Sequence, residues 1–153
     1  MIRILALLAL AFAAPALAAD SVVLGHGLSN SYLSKRECPG NSVCLDAKYV
    51  WALRANRTVA GPPIHGDVRA IATQHADATQ QFVSSVELFV LRPIHDVALR
   101  KSSGATFYLI SLSPRDPEGR YCLSVNPETV GLHLAMSQLY SDADSYCFDA
   151  RLL

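Results

Sequence analysis

Histidine is the side chain of this sequence best suited to acid–base chemistry or metal binding at neutral pH. Five are present: His26, His65, His75, His95 and His133. None follows another at a spacing of two or four residues, which would place both on one face of a strand or helix. His75 and His95 end two predicted strands, however, and adjacent strand ends of a barrel can lie close together. Metal binding or enzymatic activity that uses His75 and His95 is therefore one alternative for the function of this chain.

The other residue types that carry catalysis give no recognisable pattern. Ser102, Ser103 and Gly104 follow one another without the Gly-x-Ser-x-Gly arrangement of a nucleophile elbow. Asp116 and Glu118 stand two residues apart in a turn sequence, where carboxylates are usually solvated beside neighbouring arginines. We therefore expect a non-enzymatic protein that needs no cofactor.

The first 18 residues have the pattern of a secretory signal peptide. Arg3 precedes an apolar run, and the triplet Ala16-Leu17-Ala18 follows that run. The run is shorter than the ~20 residues that span a bilayer, so we expect cleavage after Ala18 and no transmembrane segment in the mature chain. The expected location is the periplasm or the extracellular space.

The charge of the mature chain bears on its partners. Once Arg3 is removed with the signal, 12 basic and 13 acidic residues remain. Nucleic-acid-binding proteins usually carry a basic excess, because neutralising phosphates supplies much of their affinity. A nucleic-acid partner is therefore not expected, and roughly 135 residues correspond to one ordinary domain.

Four cysteines lie in the mature region: Cys38, Cys44, Cys122 and Cys147. An even number in an exported chain predicts two disulfides. Three pairings are possible, and we favour Cys38 with Cys44 and Cys122 with Cys147, because short closures form readily around turn residues. The sequence has no Cys-x-x-Cys pair and no histidine at the spacing found in zinc fingers, so we expect no bound metal.

The first half of the mature chain predicts an irregular arm and then two strands. Residues 19–45 are rich in Ser, Gly and Asn without a sustained period, and we expect an arm tied down by the first disulfide. The next segment alternates apolar and polar residues, which is typical of a half-buried strand with Trp51 in the core. Gly61, Pro62 and Pro63 interrupt this strand, and DVRAIATQH then forms a second.

The second half predicts three more strands and a helix. The apolar run VELFVLRPI is typical of a strand buried on both sides. Asp96 and Gly104 fit the two ends of a short helix. ATFYLISLS and RYCLSV predict the fourth and fifth strands on either side of a turn. The tail is expected to be helical around residues 129–140, or irregular, and to bring Cys147 back toward Cys122.

Five strands with a short helix between the third and fourth give an element order that resembles the OB-fold, a small Greek-key barrel. The resemblance places a mainly β, OB-like barrel domain with a C-terminal tail at residues 46–153. Among secreted proteins it is similar to the netrin-like module of metalloproteinase inhibitors and complement proteins. Those inhibitors carry a cysteine at the mature N-terminus, whereas the first cysteine here is Cys38, so their inhibitory mechanism does not carry over.

The resemblance implies a binding surface on the second and third strands and on the loop between the first two. The side chains that would form it are Pro63, Ile64, His65, Arg69, Gln74, His75 and Arg92. We therefore expect a binding module for a protein or cell-envelope ligand. OB-type oligonucleotide binding is a further alternative.

Overall fold

The computed structural model describes residues 19–35, 46–75, 86–142 and 144–153. Within these ranges the chain is mainly β-strand and includes one short α-helix. The elements of the first part are β1 (Ser21–Lys35), β2 (Asp46–Ala60), β3 (Gly66–His75), β4 (Glu87–Pro93), α1 (Val97–Ser103) and β5 (Phe107–Pro114). The remainder forms β6 (Arg120–Leu123), β7 (Tyr140–Asp142) and β8 (Ser145–Asp149), with short 3-10 turns between and after them.

The first five strands form one mixed sheet, which we call the closed sheet. They lie in the order β1-β2-β3-β5-β4, and β1 also pairs with β4, so every strand has two neighbours. The pairings are antiparallel except for that of β3 with β5, which is parallel. The interior of the closed sheet holds an apolar core around Trp51, Leu53 and Phe89, each at most 1% exposed. The predicted core position of Trp51 is confirmed.

The strand β1 was not predicted, because residues 19–45 were expected to form an irregular arm. Instead, Ser21–Lys35 pairs with β2 along its length and with β4 at its start. Four register shifts interrupt its pairing with β2, so the sequence shows no steady alternation. At Gly25, a Cβ atom would lie 2.1 Å from the carbonyl oxygen of Arg54, so the close approach of β2 requires glycine here.

The strand β4 is buried on both faces, as its apolar sequence predicted. Phe89 and Leu91 point into the closed sheet, whereas Leu88 and Val90 point outward. The outward pair packs against Phe148 and other apolar residues of the C-terminal part of the chain. The continuous apolar run thus has a physical reason, since Leu88, Phe89, Val90 and Leu91 are buried on both faces of β4.

The C-terminal part differs from the expected tail. The predicted fifth strand is β6, and it belongs to a separate three-stranded antiparallel sheet in the order β6-β8-β7 rather than to the closed sheet. The segment expected to be helical instead contains two short 3-10 turns, Pro127–Val130 and Met136–Gln138. Cys122 and Cys147 are directly opposite on β6 and β8 and form the predicted disulfide. Cys38 and Cys44 lie outside the described residues.

The helix α1 forms where the sequence predicted it. The Asp96 carboxylate accepts a hydrogen bond from the Leu99 backbone N–H at 3.0 Å, and the helix ends at Gly104. Because β1 precedes the predicted strands, however, α1 follows the fourth strand of the closed sheet rather than the third. In the part of the chain that the structure describes, no helix is long and apolar enough to cross a membrane.

Candidate functional site

The loop between β2 and β3 holds three of the predicted binding residues. The Ile64 backbone N–H donates to Thr58 Oγ1 at 2.8 Å, and the same hydroxyl donates back to the Ile64 carbonyl oxygen at 3.1 Å. Ile64 is only 8% exposed and packs into the core, so it is not available to a partner. Pro63 and His65 are exposed. The loop is therefore a braced turn that closes the core with Ile64.

The remaining predicted binding residues are not gathered on one surface. Arg69 is exposed beside the end of α1, whereas Gln74 is half-buried, with its Oε1 atom buried. Arg92 lies on β4 and is held in an ion pair with Asp20 at 2.8 Å. Since β5 lies between β3 and β4, the two strands predicted to form a common surface are not neighbours.

The alternative site at His75 and His95 is not favoured by the strand register. Ala70 of β3 and Pro93 of β4 both lie opposite Phe107 of β5. From this level β3 runs to His75 in one direction, and β4 leads to His95 in the other. Five residues of strand place His75 roughly 16 Å from Ala70, so the two backbone positions lie toward opposite ends of the closed sheet.

A groove opens on the outer face of the closed sheet where β3 and β5 separate. The parallel pairing of these strands is limited, in the described chain, to Ala70 with Phe107 and Ile71 with Tyr108. Beyond Ile71 lies a cavity of about 550 Å³ with walls from β1, β2, β3, β5 and α1. We call it the β3–β5 groove. Its volume falls in the range of small-molecule sites, about 300–1,000 Å³.

The strand register divides the groove into a polar and an apolar part. Ser34, Lys48 and Thr73 are neighbours across β1, β2 and β3, and all three line the groove. Two residues back along β3, Ile71 lies beside Tyr108 of β5. Side chains on one face of a strand recur at about 7 Å. A row of hydroxyl and ammonium groups thus adjoins an apolar floor.

Two irregularities bring further apolar side chains to the groove. Tyr32 pairs with Tyr49 and Ser34 with Lys48, so Leu33 is an extra residue on β1. Similarly, Leu91 pairs with Leu109 and Val90 with Ser111, which leaves Ile110 extra on β5. A bulge of this kind turns successive side chains out of strict alternation. Leu33 and Ser34 therefore both reach the groove, as do Leu109 and Ile110.

The helix α1 forms the rim of the groove. Leu99 packs with Val50 and Ile71 on the outer face of the closed sheet, together with Ile94 and Ala105. Ser102, one turn further along α1, is exposed at the groove edge. The capping hydrogen bond at Asp96 fixes the start of α1. The buried residues Ile94 and Ala105 anchor the chain before and after the helix, so Leu99 and Ser102 are held at the groove.

Cationic side chains on the groove side of the closed sheet differ in whether they form ion pairs with the described residues. Lys48, Arg69, Arg100 and Lys101 have no acidic side chain within 4.0 Å among the residues that the structure describes. By contrast, Arg54 donates to Asp67 at 2.7 Å, and this hydrogen bond lowers the pKa of the Asp67 carboxyl. The groove side thus presents cations that are not neutralised by the described neighbours.

The described residues contain no cluster of metal-binding side chains. In the ranges that the structure covers, no group of three or more His, Cys, Asp or Glu side chains is placed to hold a metal ion. Comparison with protein-family models, with curated proteins and with solved structures finds no match for this chain. The β3–β5 groove, at about 550 Å³, is larger than a second cavity of about 360 Å³ that lies beside Arg100, Lys101 and Gly104 at the end of α1.

The sequence contained one signal for this site. In the predicted strand of residues 67–75, Ile71 lies on the same face as Arg69, Thr73 and His75. This signal is weak, because a single apolar residue among outward polar residues is common on protein surfaces. The contributions of Leu33 and Ser34 depend on the unpredicted β1, and that of Tyr108 depends on the pairing of β5 with β3, so sequence spacing alone did not reveal them.

Proposed function

We propose that this chain is an exported, non-enzymatic binding module and that the β3–β5 groove holds the apolar part of a cell-envelope ligand. The observation that carries the proposal is the groove itself, which has ligand-site volume and an apolar floor beside a polar row. Pockets of this kind, apolar with a few directing polar groups, are typical of small-molecule binding.

We further propose that the closed sheet is an OB-like Greek-key barrel. Five strands, closure of β1 onto β4 and the non-sequential order β5-β4 support this topology. In OB-folds the ligand lies on the face of strands 2 and 3, between the 1–2 and 4–5 loops. Here β2 and β3 line the groove, and α1 in the β4–β5 connection forms its rim.

Export is supported by the N-terminal sequence and by the Cys122–Cys147 disulfide, because such bonds persist in oxidising compartments. The periplasm or the extracellular space is therefore the proposed location, and an envelope component is the proposed source of the ligand.

The groove is tested by blocking it from the rim. Ser102→Trp places a large side chain at the groove edge without altering a core position, and Ser102→Ala is the matched control. The probe is the neutral amphiphile dodecyl maltoside, kept at monomer concentrations and followed by isothermal titration calorimetry.

We expect the wild-type protein and Ser102→Ala to bind the probe equally, and Ser102→Trp to bind at least about tenfold more weakly, which corresponds to ~1.4 kcal/mol. Absence of binding to the wild type, or equal binding by the folded Ser102→Trp variant, would reject the groove as the site.

A further inference from the structure

We infer that the ligand of the β3–β5 groove is an anionic amphiphile, with its charged group on the row Ser34–Lys48–Thr73 and its apolar chain over Ile71 and Tyr108. This inference rests on the proposed function and adds the chemical class of the ligand. It follows from the arrangement of side chains within the groove rather than from the presence of the groove.

The polar row is built to hold an anion. Lys48 carries an ammonium group with three donors, and the hydroxyl groups of Ser34 and Thr73 on either side can each donate one hydrogen bond. Lys48 has no acidic partner in the described chain, so its charge is available to a ligand. A carboxylate or phosphate oxygen on this row would accept charge-assisted hydrogen bonds.

The apolar floor begins one side-chain step from this row. Ile71 is 5% exposed and Tyr108 is half-buried, and Leu99 lies above them on α1. The step from Thr73 to Ile71 is about 7 Å. A ligand whose charged end and chain are covalently joined therefore meets both parts of the groove at once, whereas a uniformly polar or apolar ligand meets only one.

Charge along the chain agrees with an anionic ligand. Residues 19–114 contain nine basic and seven acidic residues, while residues 115–153 contain three and six. The excess of cations thus belongs to the part of the chain that forms the groove. Arg69, Arg100 and Lys101 on β3 and α1 add positive potential, which would attract an anion without contacting it.

A small amphiphile is favoured over a protein partner by size. A cavity of about 550 Å³ accommodates one ligand of small-molecule dimensions. Stable protein interfaces bury about 800 Å² per partner and require a broader surface. An oligonucleotide would need successive aromatic platforms, and Tyr108 is the aromatic side chain that lines the described groove.

The test compares two probes with the same chain, dodecanoate and dodecyl maltoside, by isothermal titration calorimetry at neutral pH and monomer concentrations. Lys48→Met removes the charge but keeps an apolar stem, and Lys101→Met makes the same change on α1 outside the groove lining. We expect Lys48→Met to bind dodecanoate about two- to fivefold more weakly. Its affinity for dodecyl maltoside should stay unchanged. Lys101→Met removes a charge that lies outside the groove lining, so it should weaken dodecanoate binding by less than Lys48→Met does.

Charge reversal sharpens the test. Lys48→Glu should bind dodecyltrimethylammonium more tightly than dodecanoate, opposite to the wild type, and the wild-type preference for dodecanoate should shrink as salt is raised. Equal affinities of wild type and Lys48→Met for dodecanoate would overturn the anionic class while leaving the groove intact. Failure of all three probes to bind would reject the proposed function as well, and tighter binding of a dT8 oligonucleotide than of dodecanoate would favour the nucleic-acid reading.

Discussion

The two outer faces of the closed sheet differ in what lies against them. On the β1–β4 side, Val22, Leu88 and Val90 point outward and are fully buried beneath the C-terminal part of the chain. On the β2–β3–β5 side, Ile71 is sheltered by Leu99 of α1, while Lys48 and Thr73 are exposed.

The groove arises because the β2–β3–β5 side of the closed sheet has the smaller cover. Apolar residues on the outside of a sheet are stable only when something lies against them. The C-terminal strands and turns provide a broad cover over β1 and β4, whereas α1 has seven residues and extends only about 10 Å. Among the described residues, the short helix leaves part of the opposite face uncovered, and this part is the β3–β5 groove.

The largest expected effect comes from weakening the covered face. Phe148 is fully buried between the C-terminal sheet and the closed sheet. We expect Phe148→Ala to lower the free energy of unfolding by about 3–5 kcal/mol, because it removes a large buried ring. Urea unfolding measures the change. A loss below about 1 kcal/mol would mean that the C-terminal cover contributes little.

The Cys122–Cys147 disulfide links β6 to β8 within the C-terminal part that covers the closed sheet. Cys122 and Cys147 are 25 residues apart, and a closure of this length stabilises by about 3.5 kcal/mol in the chain-entropy account. We therefore expect the double variant Cys122→Ser/Cys147→Ser to lose roughly that amount in urea unfolding. Dodecyl maltoside binding by the fraction that remains folded should persist, because Ile110 is the one described groove residue that packs against the Phe148 cluster. Loss of binding in the folded variant would contradict the separation of the two faces.

A substitution on the groove side of the closed sheet should cost less stability than one on the covered side. Leu99 is half-buried, so Leu99→Ala should lower the free energy of unfolding by about 1 kcal/mol. The same variant should weaken dodecyl maltoside binding, since Leu99 lines the groove. A loss of stability comparable to that of Phe148→Ala would show that the two faces are equally covered.

The smallest expected effect concerns acid stability. The hydrogen bond from Arg151 lowers the pKa of Asp149 from 3.8 to about 2. Because the folded pKa is the lower one, the stabilisation is complete above pH 3.8 and is lost as the pH falls toward 2. Asp149→Asn should therefore melt slightly below the wild type at pH 5, and the difference in melting temperature should shrink on acidification and vanish below pH 2. A difference that grows on acidification would contradict this.

Sequence reasoning succeeded where one local pattern decides the structure. Asp96 and Gly104 mark the two ends of α1, the unbroken apolar run marks β4, and the Cys122–Cys147 pairing was confirmed. Each of these depends on capping, on burial of both faces or on a short covalent closure. None requires knowledge of a distant strand.

It failed where tertiary pairing overrides composition. β1 is rich in Ser, Gly and Asn, and its bulges hide the alternation, yet β2 and β4 stabilise it on both sides. Because β1 is absent from the prediction, the predicted strand numbers are one too low, and the predicted first connection, the loop at Pro63 and His65, is the second in the structure. The closed sheet has five strands, the number that was predicted, but it contains β1 instead of β6, and the described chain has eight strands in all.

The central claim is that ligands bind in the β3–β5 groove, and amide chemical shifts during titration with dodecyl maltoside and dodecanoate test it most directly. The largest shifts are predicted at Ile71, Thr73, Leu99 and Tyr108. Met136 and Tyr140, which are 81% and 59% exposed, offer a competing apolar surface in the C-terminal part. Shifts centred on Met136 and Tyr140, with the groove residues unchanged, would contradict the claim.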